Sequence, residues 1–269
     1  MATPITATEV GQYVHANGLE IYYEEYGAGE PLILIHGGTI TCRSWQPLIP
    51  GLSQQFRVLA LDSRGHGRTA NPAGELSYRT MAVDVAAFSE ALRLDRPRIC
   101  GYSDGGQIAL EIGLRYPGLA RAFIVGAAGY EWSDDYINLW RATGIEGPGQ
   151  VNFEVLQAAL PDLAQEWRVD HAALGGPDYW RVLLTQLSTM WMTPPPYTLE
   201  DFTAINEPTL VVVGDRDPLF SVEQTVEIYR QLPNGELAVL PNADHLSFLM
   251  TSSVIAQFES VILDFFARH

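Results

Sequence analysis

The stretch Gly101-Tyr102-Ser103-Asp104-Gly105-Gly106 constrains the fold more than any other part of this sequence. A short apolar run, 97–100, precedes it and a helical pattern, 108–114, follows it. Small residues on both sides of a serine, placed between a strand and a helix, predict a sharp strand–turn–helix that presents the serine. We therefore expect Ser103 in a strained backbone conformation at a helix N-terminus, where N–H groups can stabilise a negatively charged oxygen.

Strand and helix patterns alternate on both sides of this turn. A hairpin is predicted at Asn17-Gly18, between strands at 11–16 and 19–26. Apolar residues at helical spacing predict a helix that begins near Met81. Further helices are predicted from Val222 and at the end of the chain, where one apolar face runs from Val254 to Phe265. Further apolar runs predict buried strands at 31–36, 56–61, 98–101, 122–126, 209–214 and 236–240. The alternation predicts an α/β fold, an eight-stranded and mostly parallel sheet with helices on both faces.

The alternation is interrupted after the sixth strand. Residues 130–207 show helical patterns and no convincing strand, and they hold five of the six tryptophans. We predict a helical cap over 130–207, inserted into a core domain made of residues 1–129 and 208–269. Trp132, Trp140 and Trp191 are the candidates to line an apolar substrate pocket above Ser103.

Composition excludes several classes of function. The chain carries 32 acidic and 16 basic residues, a net charge of −16 that disfavours binding to nucleic acid. Mean hydropathy is close to zero and no apolar run reaches the ~18 residues of a membrane span. Residues 1–10 lack the pattern of a secretory signal, and Cys42 and Cys100 are expected to be buried and reduced. A cytoplasmic enzyme that does not associate with membranes is expected.

A serine nucleophile needs a base, and the base needs a carboxylate that orients it. His245 is the best of the six histidines, because it lies in the turn between the last strand and the last helix. Gly214-Asp215-Arg216-Asp217 follows the preceding strand and offers two carboxylates. We favour Asp217, which lies past the strand end and can turn back to the histidine. Asp215 is expected to organise the loop.

Two further loops are expected at the same sheet edge. His36-Gly37-Gly38-Thr39 follows a buried strand, and we assign an oxyanion hole to the N–H groups of Gly38 and Asp104. The loop 62–69 is expected to brace the site by hydrogen bonds. The Asp104 side chain either projects along the pocket wall, where it would bind a cationic substrate group, or bonds a neighbouring loop at Arg64.

No cofactor or metal is predicted. The histidines are scattered without the i, i+4 pairing of a metal-binding helix, and no G-x-G-x-x-G opens a dinucleotide unit.

Together, the motifs at 36–38, 62–67, 101–106, 214–218 and 244–245 resemble those of the α/β-hydrolase superfamily. Within it the chain is similar to small capped serine esterases, including the valacyclovir-hydrolase (biphenyl-hydrolase-like) group. The resemblance implies hydrolysis of a small-molecule carboxylic ester through an acyl-enzyme. In that reaction Ser103 is the nucleophile, His245 the base and then the acid, and Asp217 its partner.

The sequence leaves other functions open. A lactonase, a carbon–carbon bond hydrolase or a cofactor-free perhydrolase would share these three residues, and a ligand receptor with a slow triad belongs to another class. A homodimer is compatible with the sequence.

Overall fold

The computed structural model describes residues 11–269, so the predicted lack of a secretory signal in residues 1–10 lies outside the described part. Ten strands occur in this part of the chain: β1 (Gln12–Ala16), β2 (Leu19–Tyr26), β3 (Glu30–Ile35), β4 (Phe56–Leu61), β5 (Arg98–Tyr102), β6 (Phe123–Gly126), β7 (Ile145–Gly147), β8 (Gln150–Val151), β9 (Thr209–Gly214) and β10 (Gly235–Leu240).

Eight of these strands form one sheet in the order β1-β2-β4-β3-β5-β6-β9-β10. The β1–β2 and β2–β4 pairs are antiparallel, and every other neighbouring pair is parallel. The predicted mostly parallel eight-stranded sheet is confirmed. Because parallel strands end at the same edge, the loops that follow β3, β5, β9 and β10 meet there.

Ten α-helices accompany the strands over residues 11–269: α1 (Ile49–Leu52), α2 (Tyr78–Ala91), α3 (Asp104–Arg115), α4 (Asp134–Ala142), α5 (Phe153–Ala159), α6 (Pro161–Asp170), α7 (Tyr179–Trp191), α8 (Val222–Gln231), α9 (Ser247–Met250) and α10 (Ser252–Arg268). None of the helices within this range combines the length and apolar character needed to cross a membrane.

The sheet is buried on both faces, which explains its continuous apolar strands. Ile33 and Ile35 of β3 pack with α2, α3 and α8 on one face. Leu32 and Leu34 pack with α1 and α10 on the other. Both cysteines are buried and unpaired, and burial raises the pKa of each thiol.

The segment 130–207 lies between β6 and β9 and contains α4 to α7. It also contains the β7–β8 hairpin, so the expectation of a segment without strands is wrong. Strand β7 has three residues and β8 has two, and their pairing contains a register shift. Strands this short do not show an alternation of apolar and polar residues in the sequence. The role of 130–207 as a cap stays a prediction.

Candidate active site

Ser103 occupies a strained turn between β5 and α3. Its φ of 55° and ψ of −119° lie outside the regions that residues with a side chain favour. A Cβ atom on Gly101 would overlap the carbonyl oxygen of Gly105, and one on Gly105 would overlap the carbonyl oxygen of Ile35. Glycine at these positions therefore permits the tight approach, which leaves the Ser103 side chain at the sheet edge.

His245 lies between the serine and a carboxylate. Its Nε2 is 2.9 Å from Ser103 Oγ, and its Nδ1 is 2.8 Å from Asp217 Oδ2. An ionised carboxylate only accepts, so Nδ1 carries the proton and Nε2 is free to accept the serine hydroxyl. The loops after β5, β9 and β10 thus bring together the three residues that the sequence singled out.

Asp217 and Asp215 have different partners. The Asp217 side chain is fully buried, and its Oδ1 accepts the N–H groups of Leu219 at 2.8 Å and Phe220 at 3.0 Å. Asp215 Oδ1 instead accepts the N–H of Ala243 at 3.1 Å and so joins the two loops. The structure therefore places Asp217, and not Asp215, against the histidine.

Tyr102 supports the histidine from below. Its hydroxyl donates to the carbonyl oxygen of His245, and the two rings are 5.3 Å apart. Burial raises the pKa of the Tyr102 phenol well above its ordinary value, so it remains a neutral donor. This contact restrains the backbone that carries the imidazole.

The loop that follows β3 lies directly against the serine turn. A Cβ atom on Gly37 would be 3.1 Å from Ser103 Cβ, and one on Gly38 would overlap the Trp191 ring and the Asp104 carboxylate. Only glycine fits at position 38. The backbone of Gly38 therefore lies beside the start of α3, where the oxyanion hole is predicted.

His36 holds this loop as a neutral imidazole. Its Nδ1 donates to the carbonyl oxygen of Gly37 at 2.7 Å, and its Nε2 accepts the N–H of Ser63 at 2.9 Å. Burial lowers the pKa of His36 to about 4. The neutral ring can make both bonds at neutral pH.

The loop 62–69 braces its neighbours, as expected. Asp62 accepts the N–H groups of Cys42 at 2.8 Å and Arg68 at 2.9 Å. Arg64 makes two 2.7 Å hydrogen bonds to Asp84. Asp84 takes up the Arg64 guanidinium, so Arg64 is not the part of a neighbouring loop that Asp104 bonds.

His171, which sequence analysis did not single out, joins the inserted segment to two core loops. Its Nε2 donates to the carbonyl oxygen of Thr39 at 2.8 Å, and its Nδ1 accepts the N–H of Gly67 at 2.9 Å. The ring is buried, and desolvation lowers its pKa. The partners lie 132 and 104 positions away, so no local pattern could have indicated the contact.

The Asp104 carboxylate is buried and bonded to two uncharged donors. It accepts the Tyr78 hydroxyl at 2.9 Å and the Trp191 indole N–H at 3.0 Å. Burial raises its pKa to about 6. The side chain reaches the cavity wall, but its bonds tie α7 to the core, a structural role with partners other than the one predicted.

A cavity of about 260 Å³ opens above Ser103 and His245. Its walls are mainly aliphatic and aromatic, with contributions from α4 to α7 and from the loops after β3, β9 and β10. Trp140 and Trp191 line it as a stacked pair, with ring centroids 4.4 Å apart and planes inclined by 14°. A cavity of this character suits an apolar group of small or medium size.

Of the three tryptophans predicted to line the pocket, Trp132 does not. Its indole N–H donates to the carbonyl oxygen of Thr193, and its ring stacks on Tyr136 at 4.8 Å. Trp167, which the prediction omitted, does line the cavity. Which tryptophans face inward depends on how the helices of the inserted segment pack, and composition does not determine that.

Comparison with known proteins identifies the family and the fold. The model of the Alpha/beta hydrolase family matches residues 32–258. A 2-hydroxy-6-oxo-2,4-heptadienoate hydrolase of Pseudomonas putida is 27% identical over 252 residues, 88% of this chain and 90% of that protein. A pimeloyl-[acyl-carrier protein] methyl ester esterase of Nitrosospira multiformis is 28% identical over 259 residues, 86% of this chain and 93% of the esterase.

Solved structures share the fold at lower identity. A meta-cleavage product hydrolase from Pseudomonas fluorescens superposes with a TM-score of 0.78 at 22% identity, covering 96% of this chain and 98% of the other. An enol-lactonase from Burkholderia xenovorans superposes with a TM-score of 0.73 at 20% identity, covering 95% of this chain and all of the other.

Proposed function

The chain belongs to the alpha/beta hydrolase family, and we propose that within it this protein is a serine hydrolase of carboxylic esters that works through an acyl-enzyme. The observation that carries the proposal is the hydrogen-bonded series Asp217–His245–Ser103, which lies at the base of an apolar cavity. A serine hydroxyl that is bonded to a neutral, carboxylate-oriented imidazole is an activated nucleophile.

The proposed reaction begins when Ser103 Oγ attacks the ester carbonyl carbon and His245 Nε2 takes the hydroxyl proton. The tetrahedral intermediate carries its negative charge on the former carbonyl oxygen. It collapses to the acyl-serine, and His245 returns the proton to the departing alcohol. Water then attacks the acyl-serine with His245 again as base, and the carboxylic acid leaves.

We assign stabilisation of that oxygen to the backbone N–H groups of Gly38 and Asp104. Asp104 begins α3, so its N–H is free of an intrahelical acceptor, and the Gly38 backbone lies beside it. Removing one such donor typically costs ~10²–10³ in rate. The Asp217-oriented imidazole would take the Ser103 proton, while these fixed dipoles would stabilise the charge on the carbonyl oxygen.

The apolar character of the cavity supports the proposal that it binds a small, medium-sized or aromatic acyl group of the substrate. Trp140, Trp167 and Trp191 form aromatic wall, and leucines of α5 to α7 complete it. An alkyl chain gains about 0.8 kcal/mol for each CH₂ that it buries. Chain length should therefore raise affinity until the cavity is full.

A second candidate is hydrolysis of a carbon–carbon bond next to a ketone. The similarity to the heptadienoate hydrolase of Pseudomonas putida favours it. The same serine and histidine would serve both reactions, so the substrate decides between them. Two assays distinguish these functions: one measures the release of alcohol from esters, and the other measures carbon–carbon bond cleavage in a 6-oxo-dienoate.

The test is hydrolysis of a series of p-nitrophenyl esters with two to eight acyl carbons. We expect repeated turnover by the wild type and a loss in Ser103→Ala on the order of 10⁶ in kcat, the size found in a serine-protease example. Ser253→Ala, which alters an exposed serine of α10, should retain full activity.

Activity retained in a folded Ser103→Ala sample free of wild type would refute the nucleophile assignment. A burst of about one product per protein without further turnover would instead support a receptor with a slow triad.

A further inference from the structure

The wall of the cavity above Ser103 contains no arginine side chain, and its one imidazole is that of His245, the proposed base. The chain has no lysine, and its sixteen basic residues are all arginines between positions 43 and 268, inside the described part. None of them lines the cavity. The ionisable groups that do are Asp104, His245 and the phenols of Tyr102 and Tyr136.

Three arginines, Arg64, Arg168 and Arg181, are held by contacts with residues outside the cavity wall. Arg64 is buried and makes two bonds to Asp84. Arg168 and Arg181 of the inserted segment lie near Asp178, and both guanidinium groups stack over Trp180 rather than a tryptophan of the cavity wall. A change of rotamer in these side chains would break existing contacts before a cation reached the cavity.

We propose that this cavity admits acyl groups without charge and rejects acyl groups that carry a carboxylate. The proposal rests on the proposed ester hydrolase function and narrows its substrate class. A carboxylate that enters the cavity loses its hydration and finds no guanidinium or ammonium group in exchange. The indole N–H groups of Trp140 and Trp167, which are buried in the wall without a hydrogen-bond partner among residues 11–269, are neutral donors and offset only part of that loss. The protein's net charge of −16 opposes its approach as well.

Asp104 adds a local negative charge to the wall. Burial raises its pKa to about 6, so it is mostly ionised at pH 7.5. Like charges close together in a shielded site disfavour each other. The charge that the cavity does contain thus has the wrong sign for an anionic acyl group.

The first experiment compares three p-nitrophenyl esters with six-carbon acyl chains that end in a methyl group, a carboxamide or a carboxylate. At pH 7.5, with spontaneous hydrolysis subtracted, we expect kcat/KM for the carboxylate to be ~100-fold or more below the methyl ester. The carboxamide, polar but neutral, should lie between them. A carboxylate ester hydrolysed as well as the carboxamide overturns the proposal.

The second experiment adds the missing cation. Leu163→Arg places a guanidinium on a cavity-lining position of α6. Val169→Arg is the matched control, because it adds the same charge to the same helix at a position that is 69% exposed and outside the lining. Only Leu163→Arg should reduce the preference for the methyl ester over the carboxylate, by about tenfold or more. An equal effect of both variants would show that overall charge, not the cavity, sets the preference.

A binding measurement separates this proposal from the proposed function. Calorimetry with Ser103→Ala compares two methyl esters whose six-carbon acyl chains end in a carboxamide or a carboxylate, and neither ligand needs to be hydrolysed. Tighter binding of the amide supports a cavity that excludes anions even if no ester is turned over. Tighter binding of the carboxylate overturns the proposal even if esters are hydrolysed.

Discussion

Single residues in this protein are held by contacts that leave them little freedom. Ser103 keeps a positive φ because β5, α3 and the glycines around it leave no other path. His245 is restrained at its ring by Asp217 and at its carbonyl by Tyr102. A nucleophile and a base that are positioned before substrate arrives lose little entropy in the reaction.

Asp217→Asn should damage activity far more than Asp215→Asn. An amide at position 217 can donate to Nδ1, which stabilises the tautomer that cannot accept the Ser103 proton. The loss in kcat should be ~10³–10⁴, as in the comparable protease variant. Asn at 215 keeps an oxygen for the Ala243 N–H, so its kcat should fall less than about tenfold. Steady-state kinetics on one p-nitrophenyl ester provides the comparison, and a reversed order would assign the carboxylate role to Asp215.

Helices and loops of this molecule are joined by side chains that reach from one element to the backbone of another. His171 follows the last residue of α6 and bonds Thr39 and Gly67, which belong to two separate core loops. Thr39 adjoins Gly38, whose N–H we assign to the oxyanion hole. The inserted segment therefore supports the loop that carries a proposed catalytic donor.

His171→Ala should lower kcat by ~10–100-fold while KM changes little, because a small displacement of the Gly38 loop affects the transition state more than substrate binding. The free energy of unfolding should fall by about 2–4 kcal/mol, since a buried N–H and a buried carbonyl lose their partner. Kinetics and thermal unfolding, measured together, check both effects.

His171→Gln, which keeps an acceptor and a donor, should recover part of the lost kcat. His15→Ala is the control, because the His15 side chain is 72% exposed and bonds only Glu20. A His171→Ala protein that is less stable but has an unchanged kcat would limit the role of this histidine to folding.

For the molecule as a whole, one buried carboxylate should make the free energy of unfolding depend on pH. Asp104 joins α7 to α2 through Trp191 and Tyr78, and burial raises its pKa from 3.8 to about 6. Between pH 4 and 6 the folded protein holds this proton more tightly than the unfolded chain does. Its contribution to stability is therefore present at low pH and is lost as the pH rises through about 6.

Asp104→Asn removes this dependence. Between pH 7.5 and pH 5 the wild type should gain about 1 kcal/mol relative to the variant, a change of about 2–4 °C in the difference between their Tm values. Thermal unfolding of both proteins at the two pH values measures it, with Asp264→Asn as an exposed control. A difference in Tm that is the same at both pH values would contradict the raised pKa.

Much of the architecture follows from local sequence. The eight strands of the main sheet lie within one residue of their predicted ends, because a run of buried apolar residues bounded by glycine or a polar turn is a short-range signal. The serine turn is partly local: Gly101 is required by the carbonyl oxygen of Gly105, whereas Gly105 is required by Ile35 of the neighbouring strand β3. Asp217 and His245 could be singled out because each follows a strand, and the ends of parallel strands share one edge.

Other features were decided only when the chain folded. His171 with Thr39, and Asp104 with Trp191, are separated by 132 and 87 positions, and both pairs depend on how the inserted helices sit on the core. The same packing turned Trp167 toward the cavity and Trp132 toward Thr193. Periodicity records which face of an element is apolar, but it does not record which distant element covers that face. The sequence by itself therefore determined the sheet and the serine turn, whereas tertiary packing chose the cavity wall and the side chains that brace it.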